Sequence, residues 1–465
     1  MTQPEGGAVD LVILGGGSGG YAAALRASEL GKSVVMVERD KVGGTCLHRG
    51  CIPTKALLHS AETVEAVKHA GQFGVNAAFE SVDIPGVHSY KDSVVAGLFK
   101  GLTGLVKSRK IEVVEGDGRL VSPTAVEVTL KDGGTRRIEG QHMLLATGSY
   151  ARLLPGLERD GQRVITSDDA LVLDRIPASA VILGAGAIGC EFASVWSAFG
   201  TEVTIVEALP HLVPLEDEAS SKLLERAFRK RGIKQELGAR FAKAEPTDTG
   251  VIVHLEGGKT IEAELLLVAI GRGPTSDGLG YEQVGVEMER GFVKVDAYCQ
   301  TSVPTISAVG DLIPTLQLAH VGFAEGILVA ERLAGLPVAP VDYDNVPRIT
   351  YSHPEVASVG LTSKQATERG YEVVEATYDL AGNGRARILA TAGAVKLVAQ
   401  KDGPVLGIHM VGDRVSELIA EAQLITNWQA LPSEVAALIH PHPTMSEAVG
   451  EAHLALAGKP LHSHS

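Results

Sequence analysis

Asp10 to Leu14 reads as an apolar run that opens into six small residues, Gly15-Gly16-Gly17-Ser18-Gly19-Gly20. Apolar positions then recur at helical spacing from about Tyr21 to Leu30 and stop at Gly31. The first run predicts a buried strand and the change of period predicts a helix. Val34 to Val37 is a second apolar run, ending at Glu38. The same order returns later as Val181 to Leu183, then Gly184, Gly186 and Gly189, a helical stretch to Phe199, a stop at Gly200, Val203 to Val206, and Glu207. The copies are offset by 169 positions, and each glutamate falls 23 residues after its first glycine. One glycine turn is weak evidence, but two complete units in register are specific.

The spacing has a mechanical reason. In Gly15, Gly17 and Gly20, as in Gly184, Gly186 and Gly189, the first glycine permits a tight turn, the second lets a pyrophosphate approach the backbone, and the third lets helix and strand pack closely. The helix start supplies N–H groups and a positive dipole end, and the terminal acid, Glu38 or Glu207, accepts ribose hydroxyls. Two dinucleotides are implied. Glu207 would repel a 2′-phosphate, and Ala208, Leu209, Pro210 and His211 offer no arginine to hold one, which favours NAD over NADP. Three more apolar runs end in short glycine signatures, namely Thr147-Gly148, Ile270-Gly271 and Gly310-Asp311. Open α/β sheets bind ligands beyond their strand C-termini, so Thr147, Gly148, Gly271 and Asp311 are candidate cofactor contacts, with plain turns as the alternative. From about Pro347 the pattern changes to stretches such as Ala394 to Gln400 and a helical run, Ser416 to Trp428, which reads as a separate α+β domain.

Composition narrows the classes. At 465 residues the chain is long enough for about three domains, each with a real core. A net charge of −14 lacks the footprint of a nucleic-acid or anionic-membrane binder. With 45% hydrophobic and 21% charged residues it is an ordinary globular composition, neither disordered nor fibrous. No apolar run reaches the ~18 residues of a membrane span. Without a basic or Arg-rich leader pattern at Met1 to Asp10, the expected location is cytoplasmic.

Four cysteines cannot build a disulfide scaffold, so the close pair Cys46 and Cys51 is the chemistry to explain. Zinc needs four ligands, and Cys190 and Cys299 are in no such arrangement, so no metal is expected. Two buried inert thiols are a second reading. The favoured one is a redox disulfide. Residues five apart in an ideal helix have Cα atoms about 8.7 Å apart, whereas a disulfide needs about 4.4 to 6.8 Å. The backbone must therefore leave the helix between them, and Gly50 is best able to allow it. Lys55, one helical turn past Cys51, is placed to stabilise a thiolate or a reduced flavin, the alternative being a solvated lysine. NAD carries a hydride that a disulfide cannot accept directly, so a flavin must mediate. The cysteines lie beside the first unit, which assigns FAD to Gly15–Glu38 and NAD to Gly184–Glu207.

Taken together, Gly43-Gly44-Thr45-Cys46 through Cys51-Ile52-Pro53-Thr54-Lys55 and His440-Pro441-His442-Pro443-Thr444-Met445-Ser446-Glu447 resemble the pyridine nucleotide-disulfide oxidoreductases along the whole chain. Within that family they look most like the branch that reoxidises protein-bound dihydrolipoyl groups with NAD. The resemblance implies that Cys46 is the interchange thiol and Cys51 the flavin-facing thiolate. It implies that Asp311 is a second flavin contact and that Glu191 is the acid paired with Lys55. It implies further that His442 is a general base supplied by the partner subunit of a homodimer, oriented by Glu447. Thr444 to Glu447 also fits a helix capping box, and His440 is the position for a control substitution. The alternative activity is NAD(P)H-dependent reduction of another low-molecular-weight disulfide.

The expected fold is α/β, with two Rossmann-like dinucleotide-binding domains, for FAD and NAD, and a C-terminal α+β dimerisation domain. The expected order is an FAD domain with the cysteine pair at 1–150, an NAD domain at 151–275, a central domain completing the FAD site at 276–346, and an interface domain at 347–465. The implied partner is the lipoyl domain of a 2-oxoacid dehydrogenase acyltransferase, with neither nucleic acid nor membrane.

Overall fold

The computed structural model describes residues 8–462. The chain divides into two compact units, each built from three separate stretches. The first takes residues up to Ala56, His88–Arg152 and Arg272–Tyr343, and the second takes Leu57–Val87, Leu153–Gly271 and the chain from Asp344 on.

The first unit is centred on a parallel sheet. Val9–Leu14 pairs on one side with Val34–Glu38, which pairs in turn with Glu112–Ser122, and on the other side with Thr135–Leu145, followed by Ile306–Ala308. Two of these strands run on into an antiparallel meander with Ala125–Leu130. Leu11, Ile13, Met36, Leu144 and Ile306 are almost fully buried, each worth about 1.5–3 kcal/mol against an exposed state. The Ser18–Glu29 helix buries only glycine and alanine. That small-residue face lets the Ala319–Leu333 helix come very close: a Cβ on Gly326 would stand 2.3 Å from the Gly19 carbonyl oxygen.

The second unit repeats the plan. Lys234–Leu237, Glu202–Glu207, Ser179–Leu183, Leu265–Val268 and Val164–Thr166 form a five-stranded parallel sheet in that order. Beyond residue 346 comes an antiparallel sheet ordered Arg348–Thr350, Glu355–Gly360, Val405–Gly412, Ala394–Gln400 and Val373–Asp379, packed with the helices Val415–Asn427 and Glu447–Leu456. The expected strand at Ala394–Gln400 is present, but it alternates only in part. It lies between two other strands and is buried along most of its length, and its lysine, Lys396, is tied to buried Asp217 at 3.0 Å. Among the described residues no helix is long and apolar enough to cross a membrane.

Candidate active site

The two glycine turns are near copies in space as well as in sequence. Gly17 caps its helix at φ −71°, ψ −172°, and Gly186 at φ −70°, ψ −173°, each without a side-chain cap. A Cβ on Gly20 would fall 1.9 Å from the Gly15 carbonyl oxygen, and one on Gly189 would fall 2.0 Å from that of Gly184. Gly15 and Gly184 both sit at φ +105°, a left-handed conformation that favours glycine. The terminal acids are held alike. Glu38 accepts the N–H of Gly16 at 2.6 Å and of Asp40 at 2.8 Å; Glu207 accepts Ala185 at 2.8 Å and Leu209 at 2.9 Å. Each carboxylate is thus fixed at the mouth of its turn with lone pairs to spare for hydroxyls.

The residues present fit two bound dinucleotides. Both helix starts present N–H groups that no side chain covers. Cβ atoms built on Gly148, Gly186, Gly271 and Gly310, all at strand ends, would meet nothing within 4 Å, so the backbone there faces open space. An open cleft of about 660 Å³ lies against Glu38, with Val42, Phe99 and Lys131 among its walls. In the first unit Thr147 donates its hydroxyl to the Thr275 carbonyl at 2.6 Å and lies 3.0 Å from the Tyr281 hydroxyl. Asp311 accepts the hydroxyl of Ser149, which in turn accepts Nε–H of Arg272 at 2.7 Å. Sequence reasoning missed Ser149 and Arg272. The signal for Arg272 was its place directly after Gly271.

The cysteines sit where two helices meet. Gly44–Arg49 ends at Gly50, whose φ −152°, ψ −110° is not helical, and Cys51–Lys68 begins immediately after it. Thr54 fastens the junction by donating both N–H and hydroxyl to the Gly50 carbonyl, at 3.1 and 2.7 Å. The segment is laid directly on the first glycine turn: Gly43 N–H donates to the Gly16 carbonyl at 2.8 Å, and a Cβ on Gly44 would stand 2.6 Å from the Cα of Gly17. The side chains of Cys46 and Cys51 lie within hydrogen-bonding reach of each other. The Cys46 thiol is pushed up by that hydrogen bond and by burial, while the charge of Lys55 pulls it down. Tyr21, one turn into the first helix, was missed in the sequence; its phenol is pushed up to about 12 by burial and by the two cysteines beside it. Cys190 and Cys299 are buried, and burial raises both thiols, Cys299 to about 12. Glu191 lies in the second unit, buried, and accepts the Tyr351 N–H at 3.0 Å.

His442 and Glu447 also belong to the second unit, whereas Cys46, Cys51 and Lys55 belong to the first. The His442 ring Nδ1 lies 2.8 Å from Glu447 Oε1, and the other carboxylate oxygen accepts the Thr444 N–H at 2.8 Å. One carboxylate thus meets both the His442 ring and the Thr444 N–H, but the capping box is not formed, because the Thr444 hydroxyl donates to the Pro441 carbonyl at 2.7 Å and the helix starts after Ser446. Burial opposes ionisation of Glu447, but the Thr444 N–H and His442 outweigh it and hold its carboxyl below the usual range. The His442–Pro443 bond is cis. The His442 side chain is 76% exposed. His440 is not an idle neighbour. Its Nε2 lies 2.7 Å from Glu421, its pKa is raised chiefly by that hydrogen bond, and its ring rests on Gly450, where a Cβ would come within 2.5 Å.

Known proteins resemble this chain along nearly its whole length. A family profile described as pyridine nucleotide-disulphide oxidoreductase matches residues 9–326, and the dimerisation domain of the same family matches residues 346–453. The chain is 42% identical to a dihydrolipoyl dehydrogenase of Bacillus subtilis, over 97% of this chain and 99% of that one. It is 39% identical to a mitochondrial dihydrolipoyl dehydrogenase of Pisum sativum, over 97% and 92%. Among solved structures, LpdA of Mycobacterium tuberculosis superposes with a TM-score of 0.90 at 29% identity, covering 96% of this chain and 99% of that one. Twin nucleotide turns, a thiol pair laid on the first of them and a matched dimerisation domain all lead to one conclusion: the chain belongs to the pyridine nucleotide-disulphide oxidoreductases.

Proposed function

We propose that this protein oxidises protein-bound dihydrolipoyl groups to the lipoyl disulfide and reduces NAD to NADH, as a homodimeric component of 2-oxoacid dehydrogenase complexes. The observation that carries this reading is the seating of Cys46–Cys51 on the glycine turn of the first nucleotide unit, one helical turn from Lys55. The arrangement occurs in a chain 42% identical, over nearly its whole length, to a dihydrolipoyl dehydrogenase.

Gly15, Gly17, Gly20 and Glu38, with Thr147, Gly148 and Asp311, hold FAD; Gly184, Gly186, Gly189 and Glu207, with Gly271, hold NAD. Residues 1–150 and 276–346 make the FAD part, 151–275 the NAD part and 347–465 the dimer interface. The flavin, when bound, supplies the conversion between thiol electron pairs and a hydride.

The protein's own groups do the rest. Nδ1 of His442 faces Glu447, leaving Nε2 to take a proton from one substrate thiol, because only the thiolate is a nucleophile. That thiolate attacks Sγ of Cys46 in the oxidised protein, the Cys46–Cys51 bond breaks, and Cys51 leaves as a thiolate. The second substrate sulfur attacks the first as its proton passes to the departing Cys46 sulfur. The lipoyl disulfide closes and Cys46 is released, so the electron pair given up by the substrate rests on the two cysteines. Lys55 stabilises the negative charge left there, with Glu191 the acidic counterpart that the family resemblance assigns to it. An exposed imidazole suits a base that each protomer lends to its partner, and the lipoyl domain of the acyltransferase is the docking partner.

Anaerobic titration with dihydrolipoamide tests this reading. A long-wavelength absorbance band from a thiolate against the flavin is expected on reduction, and its absence counts against the assignment. Comparison of kcat/KM for dihydrolipoamide and for glutathione and other low-molecular-weight disulfides separates it from a general disulfide reductase.

A further inference from the structure

After the Glu447–Leu456 helix the chain turns back, and His462 lands on Glu451. The His462 N–H donates to one carboxylate oxygen at 3.1 Å, and its ring Nδ1 lies 2.7 Å from the other. The Glu451 side chain is only 9% exposed, while that of His462 is 63% exposed. Glu451 follows Glu447 by four residues, so the two carboxylates stand one turn apart on the same helix face. Each is met by a histidine from a different segment: Glu447 by His442 from the loop before the helix, Glu451 by His462 from the segment after it.

We propose that His462 and Glu451 form a positioning dyad that sets the electrostatic surroundings of the His442–Glu447 pair, and with them the pH at which dithiol oxidation switches on. The proposal rests on the assignment of His442 as the base.

The physical argument is one of charge balance. A bare Glu451 carboxylate one turn from Glu447 would favour the protonated imidazole at His442, and a protonated His462 cancels that bias. The charge of His462 does reach the dyad, joining the Thr444 N–H and His442 in holding Glu447 down against burial. Arg385 and Arg387 lie on the Gly384–Ile388 helix, whose first residue stands against the His442 ring, and Glu434, on the Pro432–Val435 helix packed on the Glu447–Leu456 helix, accepts the Leu431 N–H at 2.8 Å. On the neighbouring strand Asp379 accepts the Ala381 N–H at 2.8 Å, and the Tyr378 hydroxyl is kept neutral by burial and by Glu451, Glu447 and Asp379. Glu421, on the Val415–Asn427 helix, is matched by His440. His453, on the far side of the same helix as Glu451, is held to about 4 by burial and is neutral. Glu451, like Glu447, is met by an exposed histidine, and it is the more buried of the two carboxylates.

The test is the pH profile of kcat/KM for dihydrolipoamide in the full-length holoenzyme. Transfer of electrons from NADH to a one-electron dye, which bypasses His442, serves as the control. E451Q should move the acid-limb midpoint down and H462Q should move it up, each by about half a pH unit for one charge at this range in a partly solvated site. H462K, which restores the charge, should return it towards wild type, and the dye activity should stay unchanged. The proposal is overturned if H442Q abolishes the limb while E451Q and H462Q leave it in place, or if both shift it the same way. A limb that survives in H442Q removes the base assignment itself, and this inference with it.

Discussion

Substituting Gly189→Ala adds one methyl group and tests the second nucleotide turn directly. The new Cβ would stand 2.0 Å from the Gly184 carbonyl oxygen, 3.1 Å from its carbon and 3.3 Å from Ile182 Cγ2. The two nearest atoms are backbone, so no side chain can swing aside. A normal carbon–oxygen contact is reached only if the helix start retreats from the turn by about 1 Å, which takes its N–H groups out of the 2.7–3.2 Å range in which they bond a phosphate. Overpacking of this kind costs about 1–3 kcal/mol, and with 1.4 kcal/mol per factor of ten, the Kd for NAD should rise by about 5- to 140-fold. NADH binding followed by fluorescence reads the loss, and visible absorbance reports whether flavin is retained. Gly189→Ala should stay yellow. The matching Gly20→Ala, with its Cβ 1.9 Å from the Gly15 oxygen, should instead lose flavin. If NAD affinity in Gly189→Ala stays within about threefold of wild type, close approach at the turn is not what binds the pyrophosphate. If that variant bleaches while Gly20→Ala weakens only NAD, the order of the two nucleotides is reversed.

Other expectations follow from the same geometry. His442→Gln should lower kcat/KM for dihydrolipoamide by about 10²–10⁴-fold; His440→Gln should cost mainly thermal stability through the lost Glu421 pair, and equal kinetic losses would remove the base assignment. In the reduced native protein, iodoacetamide should label Cys46 and Cys51 but spare buried Cys190 and Cys299, as peptide mass mapping would show. Lys55→Met removes the charge that lowers the Cys46 thiol and should slow labelling of Cys46 by about threefold to tenfold; an unchanged rate would mean that the ammonium does not act on the pair. Burial holds His453 at about 4 in the folded chain, against about 6.5 unfolded, so the unfolded state binds the extra proton in that window. Stability should therefore fall as pH drops from about 6.5 to about 4, by up to roughly 3 kcal/mol from this residue, and His453→Asn should flatten that slope in urea titrations.

The parts whose chemistry is local were legible in the order of residues alone. Each nucleotide unit is closed within about 25 residues by strand, turn, helix and acid, so glycine spacing and hydrophobic period were enough to locate both. The break in the helix at Gly50 followed from the reach of a disulfide between Cys46 and Cys51. How distant segments meet was visible only once the chain was folded. Gly44 rests on Gly17, Asp311 is held by Ser149 and Arg272, and Tyr21 stands beside the cysteines. His440 is committed to Glu421, and His462 returns to Glu451. None of these contacts has a sequence signature, because a carboxylate or a ring finds its partner through the packing of sheets and helices, and that packing is set by the summed burial of many apolar residues rather than by the spacing of the two that touch.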